Sequence, residues 1–167
     1  YDLLETLLMW AKSQQNAVTM TKTAIDLRQA ASENIGLLSE LAFNKGQTLN
    51  NHVSEGCLAY ADRNMIMTTL RNLIMNAIKF SGPSANIHIH GEARDTDIII
   101  SVKDEGLGIK TEDIEKIFQP AYSSTGTAGE KGTGLGLLLC KDFVERQGGH
   151  LWVESEPGKG SNFSFTL

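Results

Sequence analysis

Two periods of hydrophobic and polar positions divide the chain into elements. Residues 1–15 place Leu3, Leu7 and Trp10 on one helical stripe with Leu4, Leu8 and Ala11 beside it, as at the end of a longer helix. That helix is either part of a helical dimerisation bundle or a cap on the chain's own core. A β-branched stretch at 17–23 predicts a strand, and a helix over 26–44 follows with Asp26 as its N-cap. Short strands are expected at 47–53 and 57–61, after which Asp62 opens a helix that runs to Phe80. Over 86–93, Ile87 and Ile89 alternate with His88 and His90, and an Ile-rich strand at 96–103 completes a hairpin. A short helix covers 111–117. Residues 119–133 then carry no period and are too many for a plain connector, which predicts a lid. A helix over 135–147 stops at Gly148-Gly149, and strands at 150–156 and 161–167 flank the turn Pro157-Gly158-Lys159-Gly160. The sum is an α/β (α+β) two-layer sandwich, a mixed sheet packed against helices, with no internal repeat.

Three places interrupt this pattern with chemistry. In KGTGLGLLLCKDFVERQGG, residues 131–149, Gly132, Gly134 and Gly136 run straight into a helix. Free N–H groups and a helix N-terminus make such a run a phosphate cradle, although the same pattern serves as a packing turn. The spacing excludes a P-loop and a dinucleotide fingerprint, and no H-R-D kinase signature is present. In the helix 62–80, Asn72, Asn76 and Lys79 fall within an arc of roughly 60°, shared by Met65, Thr68 and Thr69, while Ile66, Leu70, Leu73, Ile74, Ala77 and Ile78 cover most of the rest. Such a stripe faces either a cleft or solvent, and asparagines at i and i+4 are unusual inside a helix. Amide oxygens suit Mg²⁺ and a lysine suits phosphate. Finally, Asp104 ends a strand in DEGLGIK, where Gly106 and Gly108 permit a tight turn. It is either an ordinary acidic turn or an acceptor for the exocyclic amino group of adenine.

The net charge of −5 argues against a nucleic-acid binder with a broad basic surface, so any phosphate binding is local. Cys57 and Cys140 lack metal-ligand spacing, and reduced thiols in a cytoplasmic setting are expected. No stretch reaches about 18 apolar residues, and no signal peptide is evident. Tyr1 in place of Met suggests a fragment, which leaves open a parent anchored in the inner membrane. His88 and His90 share a strand face, but no third metal ligand is evident.

NLIMNAIKFS (72–81), DEGLGI (104–109), IFQPAYSS (117–124) and GTGLGLLLCKDFVERQGG (132–149), in that order, resemble the N box, first glycine box, F box and second glycine box of sensor histidine kinases. This is the Bergerat-fold ATP-binding family shared with gyrase, Hsp90 and MutL, and the details look closest to hybrid two-component kinases. The resemblance spans about residues 17–167 and includes the closing GKGSNFSFTL. It implies that residues 16–167 are a catalytic ATP-binding domain and that residues 1–15 end the dimerisation-domain helix.

The same resemblance implies roles residue by residue. Asp104 would bind the adenine amino group, Asn76 would ligate Mg²⁺, and Asn72 and Lys79 would contact or support the phosphates, so Asn72, Asn76 and Lys79 form the catalytic set. Gly106, Gly108 and Ile109 would shape the base pocket. Gly132, Thr133, Gly134, Leu135 and Gly136 would close on the triphosphate, with Phe118 anchoring the lid and Lys131 reaching a phosphate. The implied cofactors are ATP and Mg²⁺. The implied partners are a phosphoacceptor helical domain of the same protein and a response-regulator receiver domain, in a homodimeric parent. None of His52, His88, His90 or His150 stands in an H-E/D-x-x-x-P-like context, so the acceptor histidine is expected outside this fragment. Gyrase-type relatives generally carry a glutamate at the position of Asn72. The competing readings are an ATPase or protein serine kinase of the same fold, and a nucleotide-binding regulatory module without transfer activity.

Overall fold

Asp26 and Asp62 set where the two long helices begin. Each ends an extended stretch, and each carboxylate accepts from the N–H three residues on, Gln29 at 3.0 Å and Met65 at 3.1 Å. These caps start α1, Leu27–Asn44, and α2, Arg63–Phe80. The same aspartates close strands β1, Lys22–Asp26, and β3, Leu58–Asp62, which pair antiparallel as a separate ribbon. The computed structural model describes residues 20–94, 97–120, 122, 124–130 and 132–167. The helix read at 1–15 therefore lies outside the described residues, as do residues 17–19 of the strand read at 17–23. What the structure places there is β1, beginning at Lys22, because buried Ile25 and the register against β3 set the strand later than the β-branched run suggests.

The main sheet holds β2 (Thr48–Val53), β4 (Asn86–Ala93), β5 (Ile98–Asp104), β7 (Gly160–Thr166) and β6 (Leu151–Glu156) in that spatial order. Only β2 and β4 run parallel; the other pairs are antiparallel, so the sheet is mixed. Helices α1, α2 and α3 (Gly136–Arg146) pack side by side on one face. Alternation decides the facing: Ile87, Ile89, Ile100, Val102, Phe163 and Phe165 turn inward onto Leu27, Ala31, Leu70, Leu73 and Ile74. Phe165→Ala should cost about 3–5 kcal/mol, read as a lowered urea midpoint at unchanged slope.

The helix expected over 111–117 is instead two separate 3₁₀ turns, Thr111–Asp113 and Lys116–Phe118. So short a segment cannot hold an α-helix without a packed face along its length. No helix among the described residues is long and apolar enough to cross a membrane.

Candidate active site

A cleft of about 510 Å³ opens between α2, α3 and the ends of β5 and β7. Asn72, Asn76 and Lys79 line it along α2, together with Arg71, Met75 and Phe80. The upstream part of the polar arc does not. Met65, Thr68 and Thr69 are buried; the Thr69 hydroxyl donates to the Met65 carbonyl at 2.9 Å, and Met65 clusters with Leu139 and Phe143 of α3. Packing of α3 against the first half of α2 thus splits one helical stripe into a buried half and a half open to the cleft.

Asp104, 4% exposed, forms part of the cleft wall at the end of β5. Its Oδ1 accepts from the N–H of Gly106 at 2.8 Å and of Ser161 at 3.2 Å. Burial pushes the carboxyl up to about 6, against the lowering effect of those two N–H groups. Ser161 also lines the cleft. Neighbouring Ser155 accepts from the Ile109 N–H at 2.8 Å and donates to the Gly160 carbonyl at 2.9 Å. The sequence analysis gave neither serine a role; the turn sequence GKGS was the available signal for Ser161, and none marks Ser155. Gly108 lines the cleft at φ +68°, and a Cβ there would lie 2.0 Å from the Glu156 carbonyl oxygen. Gly108→Ala is expected to collapse this corner, lowering Tm and nucleotide affinity together.

Across the cleft stand Gly132, Thr133, Gly134 and Gly136, and Gly136 approaches so closely that an added Cβ would meet the Asn72 amide oxygen at 3.0 Å. The glycine run and the N-box helix are therefore in contact. The Asn72 amide donates to the Thr68 carbonyl one turn back, at 2.9 Å. Asn76 makes no side-chain hydrogen bond among the described residues, so its amide is free to serve a ligand in the cleft. The Lys79 ammonium donates to the Ser124 carbonyl at 2.9 Å and lies 4.5 Å from the Phe80 ring centre. Burial lowers its pKa, and Glu130 opposes that.

Other expected site residues stand further back. Ile109 lines the cleft, but Gly106 supports it from behind through its bond to Asp104. Leu135 sits before α3 with its N–H on the Thr133 hydroxyl at 3.2 Å, and it is Leu137 that reaches the cleft. Phe118 packs on the core with the Lys141 ammonium 5.9 Å from its ring, leaving Ile117 to line the cleft. Lys131 lies outside the described residues. None of the four histidines lines the cleft. His52 joins His88 and His90 on the far face of the sheet, its Nε2 3.0 Å from the His88 Nδ1 and its ring stacked 4.9 Å from that of His90. Parallel pairing of β2 with β4 supplies this third imidazole, yet among the described residues no group of His, Cys, Asp or Glu is arranged to hold a metal.

Residues 61–167 match the family of histidine kinase-, DNA gyrase B- and HSP90-like ATPases. The chain belongs to that family. Across 99% of its length it is 32% identical to phytochrome-like protein Cph1 of Synechocystis and 33% identical to adaptive-response sensory kinase SasA of Thermosynechococcus vestitus. It spans 22% of the former and 44% of the latter. Among solved structures, the catalytic domain of histidine kinase ThkA is 33% identical at a TM-score of 0.79, over 89% of this chain and 95% of that one. Full-length ShkA in complex with AMPPNP is 25% identical at a TM-score of 0.87, over 99% of this chain and 35% of that one. The chain is thus the ATPase catalytic domain of a histidine kinase.

Proposed function

We propose that this domain holds Mg-ATP in the cleft and presents its γ-phosphate to a histidine on a helical domain of the same protein. One observation carries the reading: a buried carboxylate, an amide with no hydrogen-bond partner among the described residues and a lysine line one cavity, with the glycine run across from them. Asp104 receives the adenine amino group, and Lys79 leaves the Ser124 carbonyl for a phosphate oxygen. Asn72, already bonded to its own helix and touching Gly136, fixes the spacing between α2 and the glycine run. Asn76 fits Mg²⁺ because its amide supplies a hard oxygen at the cleft wall and has no hydrogen-bond partner among the described residues. The ion would neutralise charge on the transferred group. The remaining work is positioning, since a neutral imidazole already carries its nucleophilic lone pair.

The acceptor comes from elsewhere, because the four histidines lie away from the cleft. ThkA has been solved with the response regulator TrrA, and that precedent, at 26% identity, supports a receiver domain as the onward partner here. A homodimeric parent, anchored in the inner membrane or wholly cytoplasmic, fits the same reading.

An amide at position 72 cannot act as a general base, so the isolated chain should hydrolyse ATP slowly. Supplied with Mg-ATP and a separate helical domain carrying the acceptor histidine, it should form acid-labile, alkali-stable phosphate on that domain. Rapid hydrolysis by the chain alone would instead indicate a gyrase-like ATPase. Tight ATP binding without phosphohistidine on any acceptor would indicate a regulatory module.

A further inference from the structure

The C-terminal end of α2, which carries Lys79 into the cleft, exposes carbonyls that no helical N–H can satisfy. A residue from outside the helix meets them. Lys45, at the C-terminal end of α1 and with its side chain only 15% exposed, donates to the Ile78 carbonyl at 2.8 Å and to that of Lys79 at 3.3 Å. The same ammonium reaches into the lid, to the Thr127 hydroxyl at 2.9 Å and the Glu130 carboxylate at 2.9 Å. One half-buried cation therefore joins α1, α2 and the lid.

The lid is shaped to accept this. Its residues 126–130 form a turn closed by Gly126 N–H to Glu130 carbonyl at 2.9 Å, with the Ala128 N–H on the other Glu130 carboxylate oxygen at 2.8 Å. Thr127 continues the contact, its N–H on the Lys79 carbonyl at 3.0 Å and its hydroxyl 2.8 Å from the Ser81 carbonyl. Gly126 lies so close to α2 that an added Cβ would stand 2.6 Å from the Lys79 Cγ. Burial raises the Glu130 pKa, but the Lys45 hydrogen bond and the N–H groups outweigh it and hold the value at about 2, so the carboxylate is ionised at any working pH. Glu130, Thr125 and Ser124 line the cleft from this docked position.

We propose that Lys45 is a positioning residue of the nucleotide site. Through Glu130 and Thr127 it pins the lid turn 126–130 to the end of α2, so that this half of the lid is a standing wall of the cleft before nucleotide arrives. Lid movement is then confined to the glycine run. A lid ordered beforehand loses less conformational freedom on binding, so the latch raises affinity without touching the reacting atoms. This rests on the reading of the cleft as an ATP site.

The test uses the whole chain and two variants that break the latch from opposite sides. Glu130→Ala removes the lid's carboxylate and leaves Lys45 on the α2 carbonyls; Lys45→Met removes both; Lys45→Arg keeps the cation. In nucleotide-free protein, amide exchange at 126–128 should speed up at least about tenfold in Glu130→Ala and Lys45→Met, while the sheet core is unchanged. ATP should bind about fivefold more weakly in both, and Lys45→Arg should recover most of that. With a separate acceptor domain, KM for ATP should rise at constant kcat, a split that general destabilisation would not produce. Unchanged ATP affinity in both variants overturns the proposal whether or not lid exchange moves. A parent chain that binds no ATP at all would instead sink the ATP-site reading, so the two failures are distinct.

Discussion

Replacing Asp104 by asparagine is expected to strengthen the fold and to abolish adenine recognition in one step. The carboxyl group is pushed from its ordinary 3.8 to about 6 by burial, so holding it ionised at neutral pH costs about 3 kcal/mol. A group whose pKa is raised in the folded state binds more protons there than in the unfolded chain. Its favourable contribution is therefore complete below pH 3.8 and lost as pH rises through about 6. Asparagine keeps an oxygen for the Gly106 and Ser161 N–H groups and needs no ionisation. Calorimetry should find the Asp104→Asn variant more stable than the parent at pH 8, with the advantage shrinking steadily towards pH 4. Binding should move the other way. The variant turns an NH₂ group towards the adenine amino group, donor against donor, and loses about tenfold to a hundredfold in ATP affinity. GTP, which offers a carbonyl oxygen at that position, should lose less. Equal losses for both nucleotides would show that Asp104 does not read the base.

The second large effect is expected at Asn76. Its side chain lines the cleft without a hydrogen-bond partner among the described residues, so Asn76→Ala breaks nothing in the fold and should leave Tm unchanged. Function should fall heavily. With the amide gone, ATP affinity measured with Mg²⁺ and with a chelator should converge, where the parent shows tighter binding with the metal. Phosphate transfer to the acceptor domain should drop by about a hundredfold or more, because charge stabilisation on the transferred group is the main chemical contribution in such reactions. A variant that kept the full Mg²⁺ response would remove Asn76 as a ligand. Asn72 offers a useful contrast: its amide is engaged with Thr68 and crowded by Gly136, so its loss should disturb lid spacing as well as chemistry.

Both residues stand out in the sequence because their types are out of place locally: an asparagine pair inside an apolar helix, and a carboxylate at the end of an Ile-rich strand. The residues that support them carry no such mark. Ser161 contributes only a main-chain N–H to Asp104, and Lys45 is one lysine after a helix. Likewise, the arc of α2 reads as one continuous stripe from Met65 to Lys79, and only the seat of α3 decides which half is covered.

Most elements and their order were legible in the residues alone, except for the start of β1 and the 3₁₀ turns near 111–118, and of the candidate site residues Asn72, Asn76, Lys79 and Asp104 line one cavity. Period-two and period-3.6 burial, aspartate caps and glycine stops are written residue by residue, and so are the four ordered boxes. None of the four histidines has an H-E/D-x-x-x-P-like context in the sequence, and none lines the cleft. Tertiary structure alone decided that β2 runs parallel to β4, that Asp104 is buried deeply enough for its pKa to rise, and that the lid turn docks on α2 through Lys45. These depend on main-chain donors and acceptors meeting across long stretches of chain. Every residue but proline carries the same such pair, so where they meet is settled by packing and has no signature in residue type.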